Sequence, residues 1–368
     1  MIATTTARRQ APPRRRDAPP ALDDAQLLRG WLQGVSPNTE KAYLHEAAAF
    51  AAFLGRPLLS AEVDDLQGYA YHLQGGGLGL ASQYRALSTL KSLFRFAVDL
   101  GAIDRDPARA LRLPKPRDGL AARILTIEEV RAIVAAAKAR IPTLTESAYA
   151  LSDAERTLGM RGGTIVRFAQ RLGWTTLPED HWRAPSRRRY RTVDLATVLD
   201  QSPPFRDYVV IRFLYESGCR ISEAFGLRWP DLTAVADAGV VRIFGKGNKS
   251  RTVRLGADVW QLLQRLRLGG TRDGPVFRTE WRGSRPLGRE NFTRTMLLVA
   301  RLAGLDVKPS PHWLRHSHAS HCVDAGCPLP VLKEQLGHAS LMSTERYLHV
   351  RPGESSGRYL PAIEGGGA

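Results

Sequence analysis

Six side chains in the second half of the chain are of types that could together break a phosphodiester without a metal. They are Arg220 in "SGCRISE", Lys246 in "GKGNKSR", His312 and Arg315 in "PHWLRHSHASH", His338 in "QLGHAS" and Tyr347 in "STERYLHV". Such a reaction needs a nucleophile in line with the leaving oxygen. It also needs cations on the non-bridging oxygens, where negative charge gathers, and an acid for the departing alkoxide. Arginine suits the clamp because its planar fork matches phosphate oxygens and keeps its charge. Lysine or histidine suits the acid. His312 and Arg315, three residues apart, share a face if the segment is helical. The glycines flanking Lys246 let that loop approach a backbone closely.

Taken singly, each residue has a plainer reading. Tyr347 beside Leu348 reads as a core ring with a bonded hydroxyl. Arg220 reads as a surface ion pair, "GKG" as a common turn, and His312 with Arg315 as a structural hydrogen bond. Lys249 competes with Lys246, and Tyr359 with Tyr347, although Tyr359 lies among Gly, Ser and Pro further from His338. The six residues in this order carry the signal.

Composition narrows the partner. The chain has 368 residues, 43% of them hydrophobic, enough for two cored domains, and a formal charge of +17. That excess recurs along the chain and points to a polyanion. Cys219, Cys322 and Cys327 make no disulfide framework and fit a reducing, cytoplasmic compartment. "SHCVDAGC" has no second Cys/His pair at ligand spacing, so no metal site is expected. No P-loop and no acidic cluster is present, and no cofactor is expected. Apolar runs such as "AAAFAAFL" are too short to cross a bilayer, so no membrane association is expected.

The elements that must position these residues fall into blocks. Residues 1–20 lack an apolar core or cleavage site and read as a disordered basic arm. Residues 21–113 are helical in pattern. Ser36, Pro37 and Gly55 predict the start and stop of one helix, and Ser60 predicts the cap of the next. Leu87, Leu90, Phe94 and Val98 form one apolar face of a third, with Arg85, Lys91 and Arg95 off that stripe. "RLPKPRDG" marks a linker, placed at 114–122. Residues 123–368 open on a helix with Thr126 and Glu129 in capping-box spacing. Val209, Phe213 and Leu214 predict a buried helix face, and "VVRIFGKGNKSRTVRL" a β-hairpin. The expected fold is mainly α with a small β-sheet.

The quoted boxes resemble those of the tyrosine recombinases, the phage-integrase and Xer-type site-specific recombinases. "GCRISEAFGLRWPDL" is similar to the first-arginine box and "GKGNKSRTVRL" to the hairpin-lysine box. "PHWLRHSHASHCVDAGCPLPVLKEQLGHAS" is similar to the His-x-x-Arg and Gly-His boxes, and "STERYLHV" to the nucleophile box. Residues 21–113 resemble the family's helical core-binding (SAM-like) domain. The resemblance implies that Tyr347 forms a 3′-phosphotyrosyl link and that Arg220 and Arg315 hold the phosphate. It implies that Lys246 protonates the leaving 5′-oxygen, that His312 is the base for the tyrosine, and that His338 bonds the phosphate. It implies two domains that clamp duplex DNA between basic faces, with Arg85, Lys91 and Arg95 on one of them. It further implies a tetramer on DNA from monomers in solution, with accessory DNA-bending or partner recombinase proteins in some systems. A type IB topoisomerase, a telomere-resolving strand transferase and a non-catalytic relative would share parts of this pattern.

Residues 143–202 interrupt that pattern. They resemble the winged helix-turn-helix of mercury-resistance-type regulators and phage excisionases, with a first helix at Ser152–Leu158, capped by a Ser152–Glu155 box, and a recognition helix at Gly163–Arg171. That resemblance implies DNA contacts from Arg161, Arg167 and Arg171, with Arg187, Arg188, Arg189 and Tyr190 on or near a wing.

Overall fold

The computed structural model describes residues 23–114, 119–146, 148–174, 189–245, 249–267, 272–279, 285–337, 344 and 347. The chain divides between Asp118 and Gly119 into two compact units.

Among its described residues the first unit has four α-helices: α1 (Asp24–Trp31), α2 (Pro37–Leu54), α3 (Val63–Gly75) and α4 (Leu80–Asp99). Local chemistry sets their ends. The Ser36 hydroxyl accepts the Thr39 N–H, Pro37 occupies the first helical position, and Gly55 stops α2 in the left-handed region at φ 67°. The α3 cap is Glu62 and not Ser60. Ser60 closes a short 3-10 turn with its hydroxyl on the Pro57 carbonyl, and Asp65 accepts the Glu62 N–H at 2.7 Å. On α4, Leu87, Leu90, Leu93 and Phe94 are buried against Leu27, Phe50 and Leu66, while Val98 is only half-buried. Removing this apolar surface from water holds the bundle together.

The second unit is built around α9 (Pro203–Ser217), which packs against α5 (Ile127–Ala139), α11 (Ala257–Arg267) and α13 (Pro311–Asp324). Val209, Phe213 and Leu214 are almost fully buried. Thr126 and Glu129 form the capping box at the start of α5. The hairpin is part of an antiparallel three-stranded sheet, β3 (Leu232–Val235), β4 (Ala238–Phe244) and β5 (Ser250–Leu255). The β4–β5 register runs from Gly239↔Leu255 to Phe244↔Ser250. Nearer the N-terminus, β1 (Ala148–Ala150) and β2 (Arg189–Arg191) form a separate two-stranded ribbon. Between these two strands lie α6 (Leu151–Leu158) and α7 (Gly162–Leu172), and α8 (Thr192–Ala196) follows them. The remaining helices of the unit are α10 (Ile221–Gly226), α12 (Arg289–Leu302) and α14 (Leu329–Leu336).

The inserted segment departs from its sequence expectation in two places. The α6 N-cap is Ala150, not Ser152, because Glu155 reaches forward to the Gly162 N–H at the start of α7 and is not available for a box at its own helix start. Tyr190 is buried 6.0 Å from Trp174 in an edge-to-face contact, so it is a core residue and not part of a wing surface. Among the described residues, no helix is long and apolar enough to cross a membrane.

Candidate active site

Arg220 sits where one helix hands over to the next. Gly218 ends α9 at φ 61°, and Arg220 is the N-cap of α10. The turn admits only glycine at 218: a Cβ there would lie 2.5 Å from the His318 ring. From this cap the Arg220 guanidinium donates to Glu223 Oε1 at 2.9 Å, and Glu223 Oε2 accepts the Arg220 backbone N–H at 2.8 Å.

Glu223 also accepts from Arg251 on β5, at 2.7 and 3.2 Å, and Arg251 Nε donates to the Gln335 carbonyl near the end of α14. One buried carboxylate thus ties the hairpin, α10 and α14 together. Burial opposes the Glu223 charge, but the bonds from Arg251 and Arg220 outweigh it and hold the carboxyl below its usual range.

Arg315 lies on α13 and is 4% exposed. Its two terminal nitrogens donate to the Gly218 and Leu336 carbonyls, each at 2.8 Å. Those bonds use two of five N–H donors and fix the plane of the guanidinium. Burial, then the neighbouring Arg220 charge, lower its pKa to about 10. It remains a cation at neutral pH. Arg220 and Arg251 bond one carboxylate and Arg315 acts on it through space, and this surplus of positive charge, partly out of water, calls for an anion.

His312, one turn before Arg315, is exposed at the surface yet partly shielded from water by its surroundings. That shielding, then Arg315, Arg220 and Arg289, hold its pKa below the ordinary histidine value, so it is a neutral imidazole at pH 7. Tyr347 is 4% exposed and packs with Ala319, Leu332 and Leu336. Its hydroxyl lies 2.7 Å from His316 Nδ1, and its charged form would act on Arg315 through space. Cys219, between the glycine turn and Arg220, is a buried thiol pushed up to about 11 by that burial. It is protonated and inert at neutral pH.

Of the six expected residues, the fold brings Arg220, His312, Arg315 and Tyr347 into one neighbourhood. Lys246 and His338 lie outside the described residues, as does Tyr359. The ends of the loop holding Lys246 are joined by the Gly245 N–H donating to the Lys249 carbonyl at 2.8 Å. Lys249 itself is exposed. Gly337, immediately before His338, ends α14 at φ 65° beside Arg251.

Three participants escaped the sequence reading. Glu223 had a signal, its spacing of three from Arg220 in "CRISE". His316 had a weak one, adjacency to Arg315 in a histidine-rich string. Arg251 had none beyond its place on a strand. The Tyr347 hydroxyl meets His316, whereas the sequence reading named His312 as its base.

The other expected DNA contacts divide. Arg85 is exposed and pairs with Glu46 at 3.1 Å, and Arg95 is exposed. Lys91 donates to the Arg109 and Leu111 carbonyls and ties the following chain to α4. Arg161 and Arg167 are exposed at the start and middle of α7, Arg171 falls in its last turn, and Arg189 opens β2. Arg187 and Arg188 lie outside the described residues.

Comparisons with known proteins give a consistent result. The Phage integrase family model matches residues 191–354, and the Phage integrase, N-terminal SAM-like domain model matches 31–101. The chain is 28% identical over 348 residues to tyrosine recombinase XerC of Pelobacter propionicus, covering 90% of this chain and 92% of that protein. It is 28% identical over 328 residues to tyrosine recombinase XerD of Chlorobaculum tepidum, covering 86% and 88%. Its fold matches the XerH site-specific recombinase bound to a palindromic difH substrate, with TM-score 0.58, 19% identity and coverage of 88% of this chain and 80% of that one. It also matches a lambda integrase tetramer bound to a Holliday junction, with TM-score 0.58, 17% identity and coverage of 91% and 80%.

Proposed function

The chain belongs to the tyrosine recombinase (phage integrase) family, and from that premise we propose that it cuts and rejoins duplex DNA at a specific site through a 3′-phosphotyrosyl intermediate. One observation carries the reading. A cationic cluster of buried Arg251 and Arg315 with the partly exposed Arg220 has Glu223 as its one carboxylate partner among the described residues, and a tyrosine hydroxyl bonded to a histidine lies within electrostatic reach of Arg315.

In this proposal Tyr347 Oη attacks the scissile phosphorus while its proton passes to His316 Nδ1. The bond to the 5′-oxygen breaks, and that oxygen takes a proton from Lys246. Arg220 and Arg315 hold the non-bridging oxygens through the pentacoordinate state. His312, neutral, donates a hydrogen bond to the phosphate, and His338 does the same. Glu223 and Arg251 position the arginines. The phosphotyrosyl bond keeps the energy of the broken linkage. A 5′-hydroxyl from a partner strand therefore rejoins it with the proton transfers reversed, and the cycle balances without nucleotide hydrolysis.

The helical unit supplies further phosphate contacts through Arg85 and Arg95. Four protomers act on two sites, as the lambda integrase tetramer does on its junction, and accessory or partner recombinases act with them in some contexts. The setting is the cytoplasm, where the DNA lies. The test is capture of covalent protein–DNA adducts from cells expressing the wild type or Tyr347→Phe, with the trapped DNA sequenced. Adducts from the wild type alone, concentrated at few loci, support the reading. Adducts that persist in Tyr347→Phe would name another nucleophile. Rejoined products with exchanged partners separate recombination from simple relaxation of supercoils.

A further inference from the structure

The two family models leave residues 102–190 unmatched. Within that gap and on through Leu199, the described residues share an apolar cluster of their own, with Leu151, Leu158, Ile165, Tyr190 and Leu195 among its buried members. This cluster is distinct from the one around α9, although both lie in the same compact unit.

Its geometry is specific. The eight residues of α6 are followed by the turn Gly159–Met160–Arg161 and the eleven residues of α7. Gly159 takes φ 62°, and Met160 is buried beneath the turn. The two helices approach closely at Gly162, where a Cβ would lie 2.9 Å from the Glu155 carboxylate and 3.2 Å from Leu151. Glu155 holds the approach by accepting the Gly162 N–H. The ribbon β1–β2 fastens the ends, in register Ala148↔Arg191 to Ala150↔Arg189. A helix pair locked in this way presents the second helix outward on a rigid base.

The outward face of α7 has a chemistry of its own. Gly163, Arg167 and Gln170 are exposed at i, i+4 and i+7, with exposed Arg161 at the N-cap. The Arg167 guanidinium is steadied by a bond to the Thr164 hydroxyl at 3.3 Å. Among the described residues, Asp153 pairs with Arg156, Asp194 with Arg191, and Glu155 accepts the Gly162 N–H. This face is flat at Gly163 and carries one arginine and one glutamine, the side chains that bond guanine and adenine edges in pairs. An α-helix about 10–12 Å across fits a major groove about 12 Å wide.

The module is also firmly joined to the catalytic unit. Asp200 pairs with Arg265 at 2.6 Å, and Gln201 donates to the Leu266 carbonyl at 3.2 Å. The chain then enters α9, which ends at Ser217, just before Arg220.

We propose that residues 144–201 form a second duplex-DNA-reading module that seats α7 in a major groove. The recognition sequence then includes a block of base pairs beyond those facing the active site, and the join to α9 sets the register of cleavage against that block. This rests on the chain acting on DNA, as proposed above. A protein surface on a neighbouring subunit is the competing occupant.

The test uses the full-length protein and a pool of randomised duplexes, selected first for binding and then for covalent adducts. The wild type should enrich a core sequence plus a separate short block. Arg167→Ala/Gln170→Ala should enrich the core without the block and bind the block-containing duplex about 10- to 100-fold more weakly. Arg167→Lys should keep its attraction for random duplex and lose preference within the block, which separates base reading from loss of fold. Enrichment of the same sequence with unchanged affinity by the double variant would overturn the inference while leaving the catalytic reading intact. A block lost in the variant, with no adduct from any protein, would support the module and sink the catalytic reading.

Discussion

His316 Nδ1 lies 2.7 Å from the Tyr347 hydroxyl, and the two rings are 6.0 Å apart at an interplanar angle of 38°. A nitrogen at that distance accepts the phenolic proton when the ring carries its own hydrogen on Nε2. Replacing His316 with Ala should slow adduct formation by about 10²- to 10⁴-fold, the usual worth of a positioned base. His316→Ala should leave the affinity for uncut DNA nearly unchanged, whereas Tyr347→Phe should abolish the adduct altogether. Single-turnover cleavage on a site recovered from cells measures both. A His312→Ala variant slower than His316→Ala would return the role of base to His312.

Glu223 is the sole described carboxylate bonded to Arg220 and Arg251, and its side chain is 5% exposed. Deleting it leaves buried guanidinium charge uncompensated. Glu223→Ala should lose about 3–5 kcal/mol of unfolding free energy, the range seen when one partner of a buried ion pair is removed. Breaking the exposed pair Arg56–Asp65 should change stability by about 0–1 kcal/mol. Urea unfolding of the three proteins decides it. A Glu223→Ala loss no larger than the surface pair's would mean that water or anions already compensate the arginines.

The helices, the hairpin and the order of the six residues were legible in the sequence because each rests on local chemistry. Ser36, Pro37 and Gly55 determine the bounds of α2 within a few residues of themselves, and periodic apolar positions mark α4 and α9. What stayed hidden depends on partners distant in the chain. Arg251 meets Gln335 across 84 residues, and His316 meets Tyr347 across 31. No spacing rule reports such contacts. The bonds of Lys91 to the Arg109 and Leu111 carbonyls were hidden for the same reason, since its place off the apolar stripe says nothing of residues 18 and 20 positions away. At the caps, competition hid the answer. Ser60 suits an N-cap, yet the 3-10 turn before α3 claimed it.

Gly218 joins backbone shape to catalysis. It adopts φ 61°, its carbonyl accepts from Arg315, and a Cβ would strike His318. Gly218→Ala should cost about 1–3 kcal/mol through left-handed strain and crowding. It should also reduce cleavage, because the Arg315 anchor moves. Gly55→Ala, at φ 67° with open space around it, should cost less and leave cleavage unaffected. Thermal melts paired with cleavage rates read both effects. Equal behaviour of the two variants would show that the turn is not coupled to Arg315.

His318 makes stability depend on pH in a defined window. It is 7% exposed and within 3.2 Å of the Gln335 side-chain nitrogen, and burial, followed by the Arg315 charge, lowers its pKa from 6.5 to about 4. Between those values the unfolded chain binds a proton that the folded chain refuses. Stability is therefore full above about pH 6.5 and falls as the pH drops towards 4, by about 3 kcal/mol in all for this one group. His312, also lowered, acts in the same direction. Glu223, whose carboxyl is held below its usual range, adds its loss only under more acidic conditions. Urea midpoints measured at pH 7.5, 6 and 5 should decline steadily, and His318→Asn should flatten the slope. A wild-type midpoint constant across this range would mean that the α9–α13 contact opens and lets His318 take its proton without unfolding.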